Sequence, residues 1–305
     1  MADNILNSYG DVSRKEDVMK LVEILTAQET SIKNMIGMSK AIDAVHSVLI
    51  DTLDTAASKA VSESADYSPA TLSTPTRLTN IVEKIAKPFS VTRTQQAIDH
   101  YHGENELTRQ TTKALKDWGN SCEFDLVRST LVSGVSGTTP KMSGMIENIS
   151  KSTNHTAQTS GVAWSASIMK GHMKDNIDNS NGDVAQDIFM GSYLKDLTDG
   201  FTNKTNVVNT GLNIREIVTV VDVFETGLGK LKTHYHRYVQ QSGDATGRVL
   251  AIRPEKHKTA WLIEAYIDRD LARSGPYDFY AVTGDLTLET KNQDSNFFAS
   301  GYNIG

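Results

Sequence analysis

Residues 50–80 are the strongest constraint on what this chain can fold into. The stretch is rich in Ser, Thr, Ala and Asp and carries Pro69 and Pro75. Its few large apolar residues include Leu53, Val61, Tyr67 and Leu72. Connections this long are functional, disordered or linkers. So few apolar side chains cannot offset the entropy of ordering the backbone as an independent unit. The stretch therefore reads as a long two-stranded excursion steadied by a neighbouring molecule. The whole chain shares this character, with 38% hydrophobic residues among 305. A chain so polar either has much surface for its volume or gains stability from neighbours.

The flanking segments have clearer periodicity. Val12 to Lys40 reads as an amphipathic helix. Ser13 and Glu16 have capping-box spacing, and Val18, Leu21, Val22 and Leu25 form one face. Nothing nearby in the sequence pairs with that face, so it reads as an arm that packs on something else. Ile81 to Thr94 alternates and is β-branched, which predicts a strand. Gly103 to Leu131 predicts a long helix, about 40 Å at 1.5 Å per residue. Its apolar stripe is Leu107, Ala114, Leu115, Trp118, Cys122, Leu126 and Leu131. Glu104 and Glu106 suit the positive end of its dipole, and Gly134 and Gly137 follow its end.

Val135 to Asn213 is polar and turn-rich, with helical patches at Ser165–Met173 and Val184–Thr198. The second patch places Val184, Ile188, Phe189 or Tyr193, Leu194 and Leu197 on one side. The C-terminal third reads as β. Ile214–Phe224 and Leu231–Val239 flank the turn Glu225–Gly229, which predicts a hairpin. Val249–Ile252, Thr259–Ile267 and Tyr277–Leu288 follow as strands. No repeat of 20–50 residues is visible, which sets aside solenoids and propellers.

Charge and cysteine content exclude several function classes. Thirty-one basic against 37 acidic residues leave a net charge of -6, which does not suit a dedicated nucleic-acid binder. One cysteine makes no internal disulfide. No apolar run is long enough to span a bilayer. The N-terminal residues lack the basic and apolar regions of a signal peptide, which predicts a cytosolic product released only by lysis.

Candidate chemistry is sparse. His234-Tyr-His236 places two imidazoles on one strand face, a spacing open to zinc, and His100-Tyr-His102 repeats it. Neither has a cysteine nearby, and histidines beside tyrosines on strand ends are usually ordinary surface or interface groups. Ser133-Gly-Val-Ser-Gly137 follows a helix where a phosphate loop precedes one, and Gly227-Leu-Gly229-Lys230 lacks the Ser or Thr of a P-loop. Turns explain both. Cys122 lies on the apolar stripe, where a thiol behaves as a small hydrophobe. No Gly-x-Ser-x-Gly elbow occurs. Asn148, Asn154 and Asn203 head glycosylation sequons that matter only after secretion. Asp99, Glu104 and Glu106 fit helix-start electrostatics better than paired acid–base catalysis. No catalytic, cofactor-binding or metal-binding residue is assigned. This points away from an enzyme and toward a structural protein.

An ordered set of segments then carries a resemblance. Asp51-Thr-Leu-Asp-Thr-Ala, Glu63-Ser-Ala-Asp-Tyr, Arg77-Leu-Thr-Asn80 and Pro88-Phe-Ser-Val-Thr-Arg-Thr-Gln95 come first. Gly103-Glu-Asn-Glu-Leu-Thr-Arg-Gln110, Lys113-Ala-Leu-Lys-Asp117, Cys122-Glu-Phe-Asp125 and Pro140-Lys-Met-Ser-Gly-Met145 follow. Gly275-Pro-Tyr-Asp-Phe-Tyr and Gly284-Asp-Leu-Thr-Leu-Glu-Thr-Lys-Asn292 close the series. From about Ile36 onward the chain resembles major capsid proteins of tailed bacteriophages with the Hong Kong 97-type shell fold.

The resemblance implies an α+β fold with an N-terminal arm at 1–40 and an extended E-loop region at 41–90. A peripheral domain with the spine helix would span 91–140 and an axial domain 141–213. Strands at 214–305 would return to the peripheral domain, with part of them open to the axial domain. It further implies hexamers and pentamers closing an icosahedral shell around phage double-stranded DNA, touched only weakly and non-specifically. A portal and decoration or scaffolding proteins are the implied partners, without a membrane. The virion is the implied location, with assembly in the host cytoplasm. Only about 40 residues precede the resemblance, so a separate scaffold or none is expected, and no lysine–asparagine crosslink pair is identified. Three other readings compete: an encapsulin-type compartment shell, a metal-dependent enzyme using the His pairs, and a phage tail or tube protein.

Overall fold

The computed structural model describes residues 30–304 except 54–56, 65, 67–72, 99–104, 136, 153–154, 181–182, 202–205, 210–214, 219–221, 242, 270 and 273–274. For 156–160, 206–209 and 215–218 it describes the backbone alone. Helix α1 is Ser31–Met35, followed by strands β1 at Gly37–Lys40, β2 at Val45–Ile50, β3 at Thr76–Ile81 and β4 at Glu83–Thr92. Helix α2 (Arg93–Ala97) precedes the long α3 (Glu106–Arg128), then α4 (Met145–Ser150) and β5 (His155–Val162). Helix α5 (Ala166–Asn179), β6 (Asp187–Met190) and α6 (Ser192–Asp199) follow. The remaining strands are β7 (Asn206–Asn209), β8 (Arg215–Val218), β9 (Val223–Thr226), β10 (Gly229–Tyr235) and β11 (Gly247–Ile252). After a short 3-10 turn come β12 (His257–Asp268), β13 (Tyr277–Thr290) and β14 (Phe297–Tyr302).

Helix α3 begins where Asn105 caps it, its side chain accepting the Leu107 N–H. Ala114, Trp118, Cys122 and Leu126 recur every fourth residue and are buried. This stripe lies on the sheet ordered β1-β12-β13-β4. Gly284 of β13 admits the Trp118 ring, because a Cβ there would stand 3.0 Å from it. The indole N–H of Trp118 donates to the Ile85 carbonyl at 2.9 Å.

A second sheet, ordered β5-β14-β11-β6-β10-β9, separates two cores. Phe189, Leu250, Ile252 and Phe298 join the core on α3. Their sequence neighbours Ile188, Val249, Ala251, Phe297 and Ala299 join a second core with Trp164, Met169 and Leu194. Successive strand residues point to opposite faces. Apolar packing on both faces is why β6, β11 and β14 lack polar alternation.

Several expectations need correction. Leu115 and Leu131 do not belong to the buried stripe, being 43% and 41% exposed. Val184–Thr198 is not one helix. Its first half is β6, paired with β10 and β11, and Gly191 starts α6. A four-residue run buried on both faces reads ambiguously between helix and strand by periodicity. Residues 37–40 are strand β1, paired parallel to β12, and not the end of a helix. The second arm of the hairpin stops at Tyr235. Strand β14 had no predicted counterpart. The arm residues 1–29 lie outside the described residues.

Candidate assembly interface

Strands β2 and β3 form a two-stranded antiparallel ribbon from Val45↔Ile81 to Ile50↔Thr76. Its residues alternate in exposure: Val45, Ser47 and Leu49 face solvent, while His46, Val48 and Ile50 are half-buried. The described residues between the strands are exposed, with Leu53 at 98% and Val61 at 62%. Met38 and Ile42, just before the ribbon in sequence, are also exposed, at 72% and 90%. Contiguous exposed apolar side chains on a soluble chain mark an interaction surface.

The root of this ribbon is pinned by polar groups. Asn80 is buried. Its side-chain amide donates to the carbonyls of Ser143 (3.0 Å) and Leu288 (2.9 Å). Its Oδ1 accepts the N–H groups of Ser143 (2.8 Å) and Ile81 (2.9 Å). Every hydrogen-bonding position of that amide is used, which fixes its orientation. Beside it, Glu289 Oε2 accepts from the Ser39 hydroxyl at 2.7 Å and meets His46 Nε2 at 3.2 Å. Burial alone would raise the Glu289 carboxyl. The bonds from Ser39 and His46 and the charge of Lys291 hold it below the usual carboxylate range.

Beside the first described helix, Glu123 of α3 is fully buried. Its Oε1 accepts the Ile32 N–H at 2.7 Å and its Oε2 the Lys33 N–H at 2.9 Å. Those are free amides of the first turn of α1, whose own N-cap Thr30 makes no side-chain cap bond. His236 Nε2 lies 2.9 Å from the same carboxylate. The Lys33 ammonium lies over the Trp118 and Trp261 rings, 4.8 and 5.4 Å from their centroids.

The candidate chemical residues do not converge. His234 turns to Asp187 at 2.9 Å while His236 goes to Glu123, so the two imidazoles have separate partners. Among the described residues no three metal-ligating side chains cluster. His100, His102, Asp99, Glu104, Asn154 and Asn203 lie outside the described residues. Burial pushes the Cys122 thiol up to about 12, which makes it a poor nucleophile. Gly227 lies in the β9–β10 hairpin turn, and Gly229, at φ +150°, opens β10. Gly137, at φ +87°, lies in the connection after α3. Glu106 pairs with Arg109 one turn on. Asn148 is buried and bonded to Ser143.

Sequence reasoning missed Asn80 and Glu123. A lone Asn in a strand gives no local sign of its partners. Glu123 did carry a sign, an acid between Cys122 and Leu126 on the buried side of the helix.

A family model for the SU10 major capsid protein matches residues 3–303. The chain belongs to that family. This capsid protein matches no curated protein sequence, but solved shells share its architecture. The capsid of an empty GTA particle aligns over 98% of this chain and 100% of its own, with a TM-score of 0.71 and 11% identity. The capsid of Myoviridae phage XM1 aligns over 94% and 96%, with a TM-score of 0.63 and 9% identity. The SrpI encapsulin of Synechococcus elongatus aligns over 95% and 93%, with a TM-score of 0.61 and 9% identity. The capsid protein therefore has the α+β Hong Kong 97-type shell fold, with α3 as its long helix. It is a capsid shell protein.

Proposed function

We propose that this chain assembles into hexamers and pentamers that close an icosahedral bacteriophage head around double-stranded DNA. The observation that carries this reading is the β2–β3 ribbon. It is pinned at its root by Asn80, yet it leaves Val45, Leu49, Leu53 and Val61 exposed. A rigid root with an uncovered apolar row suits an element that lies across a neighbour. Closed rotational packing of identical subunits then limits growth.

In this reading residues 1–40 are the arm, 41–90 the E-loop region, 91–140 the peripheral domain and 141–213 the axial domain. Within 214–305, strand pairing supports giving β9 to β11 and β14 to the axial domain, and β12 and β13 to the peripheral domain. The net charge of -6 suits an inner wall that releases DNA readily, because tight phosphate binding needs clustered Lys and Arg. The partners are copies of itself, a portal, and scaffolding or decoration proteins, with assembly in the host cytoplasm.

The encapsulin likeness supports a second reading, a compartment shell with protein cargo. Electron microscopy of the overexpressed protein is the test of shell formation: closed shells are expected, and tubes or monomers count against both readings. Particles from the native source should hold nuclease-resistant double-stranded DNA. Particles filled with one enzyme instead would favour the compartment.

A further inference from the structure

A cavity of about 200 Å³ lies at one end of the second sheet, where α5 ends, β6 begins and the β9–β10 turn folds over. Met173, Ala185, Leu231 and Phe297 line it, all apolar and buried. Leu228 and Lys230 line it from the hairpin turn and are exposed, which places them at its mouth. Asn176 of α5, itself buried, fixes the frame. Its Oδ1 accepts the Ala185 N–H at 2.9 Å, and its Nδ2 donates to the carbonyls of Asp294 and Asn296 at 3.1 and 3.4 Å. The cavity is therefore built into the fold before anything enters it.

Arg253, at the end of β11, also lines the cavity. Its Nη atoms meet Asp183 at 3.6 Å and Glu255 at 3.3 Å. Its Nε–H is buried and meets no acceptor among the described residues. Leaving a buried donor unpaired costs free energy, so an acceptor supplied from outside the chain is favoured there. Among the described residues lining the cavity, Arg253 and Lys230 are cationic and none is acidic. Apolar walls with one charged donor among them are the pattern of a small-molecule site. The volume is that of about seven water-sized groups, which suits a carboxylate on a tail of about four carbons. We propose that this cavity binds a small aliphatic monocarboxylate. Its tail packs on Met173, Ala185, Leu231 and Phe297, its carboxylate accepts the Arg253 Nε–H, and Lys230 adds to the attraction for an anion.

Ligand-observed saturation-transfer NMR on the full chain tests this, with pentanoate as the probe. Pentanoate should bind saturably, and pentylamine, which carries the opposite charge on a similar tail, should not. Arg253→Met removes the donor and should weaken pentanoate about tenfold, as expected for loss of a hydrogen bond to a charged group. Leu228→Asp puts a like charge at the mouth, in an exposed turn that does not hold the core together, and should weaken it by a similar factor. No saturable binding, equal binding of pentanoate and pentylamine, or unchanged affinity in either variant would overturn the proposal. Binding to unassembled subunits that vanishes in closed shells would overturn it too, by giving the cavity to a neighbouring copy.

Discussion

Glu123 and His236 meet through a 2.9 Å hydrogen bond with neither side chain exposed. The His236 Nδ1 accepts the Tyr238 N–H at 3.2 Å, which leaves the donor hydrogen on Nε2. Glu123 thus receives three N–H groups, two of them from α1. A buried carboxylate is tolerated when its lone pairs are filled in this way. The contact ties three distant parts of the sequence: the start of the body, the long helix and the turn after β10.

Removing that carboxylate should be costly. Glu123→Ala leaves two α1 amides and an imidazole without an acceptor in a dry site. The expected loss is about 3–5 kcal/mol, as for other buried charged partners. Glu123→Gln keeps one acceptor oxygen but turns an NH₂ toward donors, and about 1–3 kcal/mol is expected. Urea unfolding of the unassembled subunit checks both. Equal stability of Glu123→Ala and the parent protein would refute the capping role.

Trp118 and Leu115 lie three residues apart on α3 and should respond oppositely. Trp118 is 4% exposed, stacks on Trp261 and bonds Ile85. Trp118→Asp places an unpaired charge in the core and should prevent cooperative folding. Leu115 is 43% exposed, so Leu115→Asp should retain a cooperative transition within about 1 kcal/mol of the parent protein. Circular dichroism melts of the two variants are sufficient. A well-folded Trp118→Asp subunit would remove that residue from the core.

Much of this was legible in the sequence, for identifiable reasons. The long helix announced itself through Ala114, Trp118, Cys122 and Leu126. Residues 50–80 read as a two-stranded excursion, but the paired strands are Val45–Ile50 and Thr76–Ile81, at its two ends. Strands β12 and β13 carried β-branched and aromatic runs long enough to read. Legibility failed where tertiary context decides. Phe189 and Ile188 are both buried, on opposite sides of one sheet, so β6 has no alternation to detect. Leu115 has helical spacing, but the body leaves it 43% exposed. The partners of Asn80 lie 63 and 208 residues away, and no local pattern encodes such distances.

Acid should weaken the fold through His257. The ring is fully buried between Asn296 and Thr290, and burial pushes its pKa down to about 4 from the ordinary 6.5. The folded state therefore keeps it neutral while the unfolded chain takes up a proton. This group's stabilising contribution is complete above pH 6.5 and is lost as pH falls toward 4, about 3 kcal/mol in all. The stability gap between the parent protein and His257→Gln should shrink by about that amount from pH 7.5 to pH 4, measured by urea unfolding. A gap independent of pH would exclude the mechanism.

Asp125 should act in the other direction. Burial and the nearby Glu83 push its carboxyl up to about 7. Its protonated form is favoured in the fold, so stability from this group is lost as pH rises from the ordinary carboxylate range through 7. Asp125→Asn mimics the neutral form. It should stabilise the subunit at pH 8 relative to pH 4 by about 1–2 kcal/mol, the discount reflecting partial solvent access. Stabilisation that is the same at both pH values would argue against the carboxyl pair as its source.

The ribbon should matter to assembly and not to folding. Its root bonds through Asn80 and Glu289 involve the Val45–Ile81 end of the β2–β3 pair, opposite the tip, and would survive loss of the tip. Replacing residues 51–75 by a two-residue Asn-Gly turn joins Ile50 to Thr76, which already face each other in register. The shortened subunit should unfold within about 0.5 kcal/mol of the parent protein, because the described part of the tip is exposed and packs on nothing in its own chain. It should fail to form closed shells, since Leu53, Val61 and the rest of the tip are no longer there to cover a neighbour. Leu49→Asp with Leu53→Asp tests the same surface without deletion and should also block closure. Light scattering and electron microscopy separate the outcomes: intact shells from both variants would mean that the ribbon tip plays no part in holding subunits together.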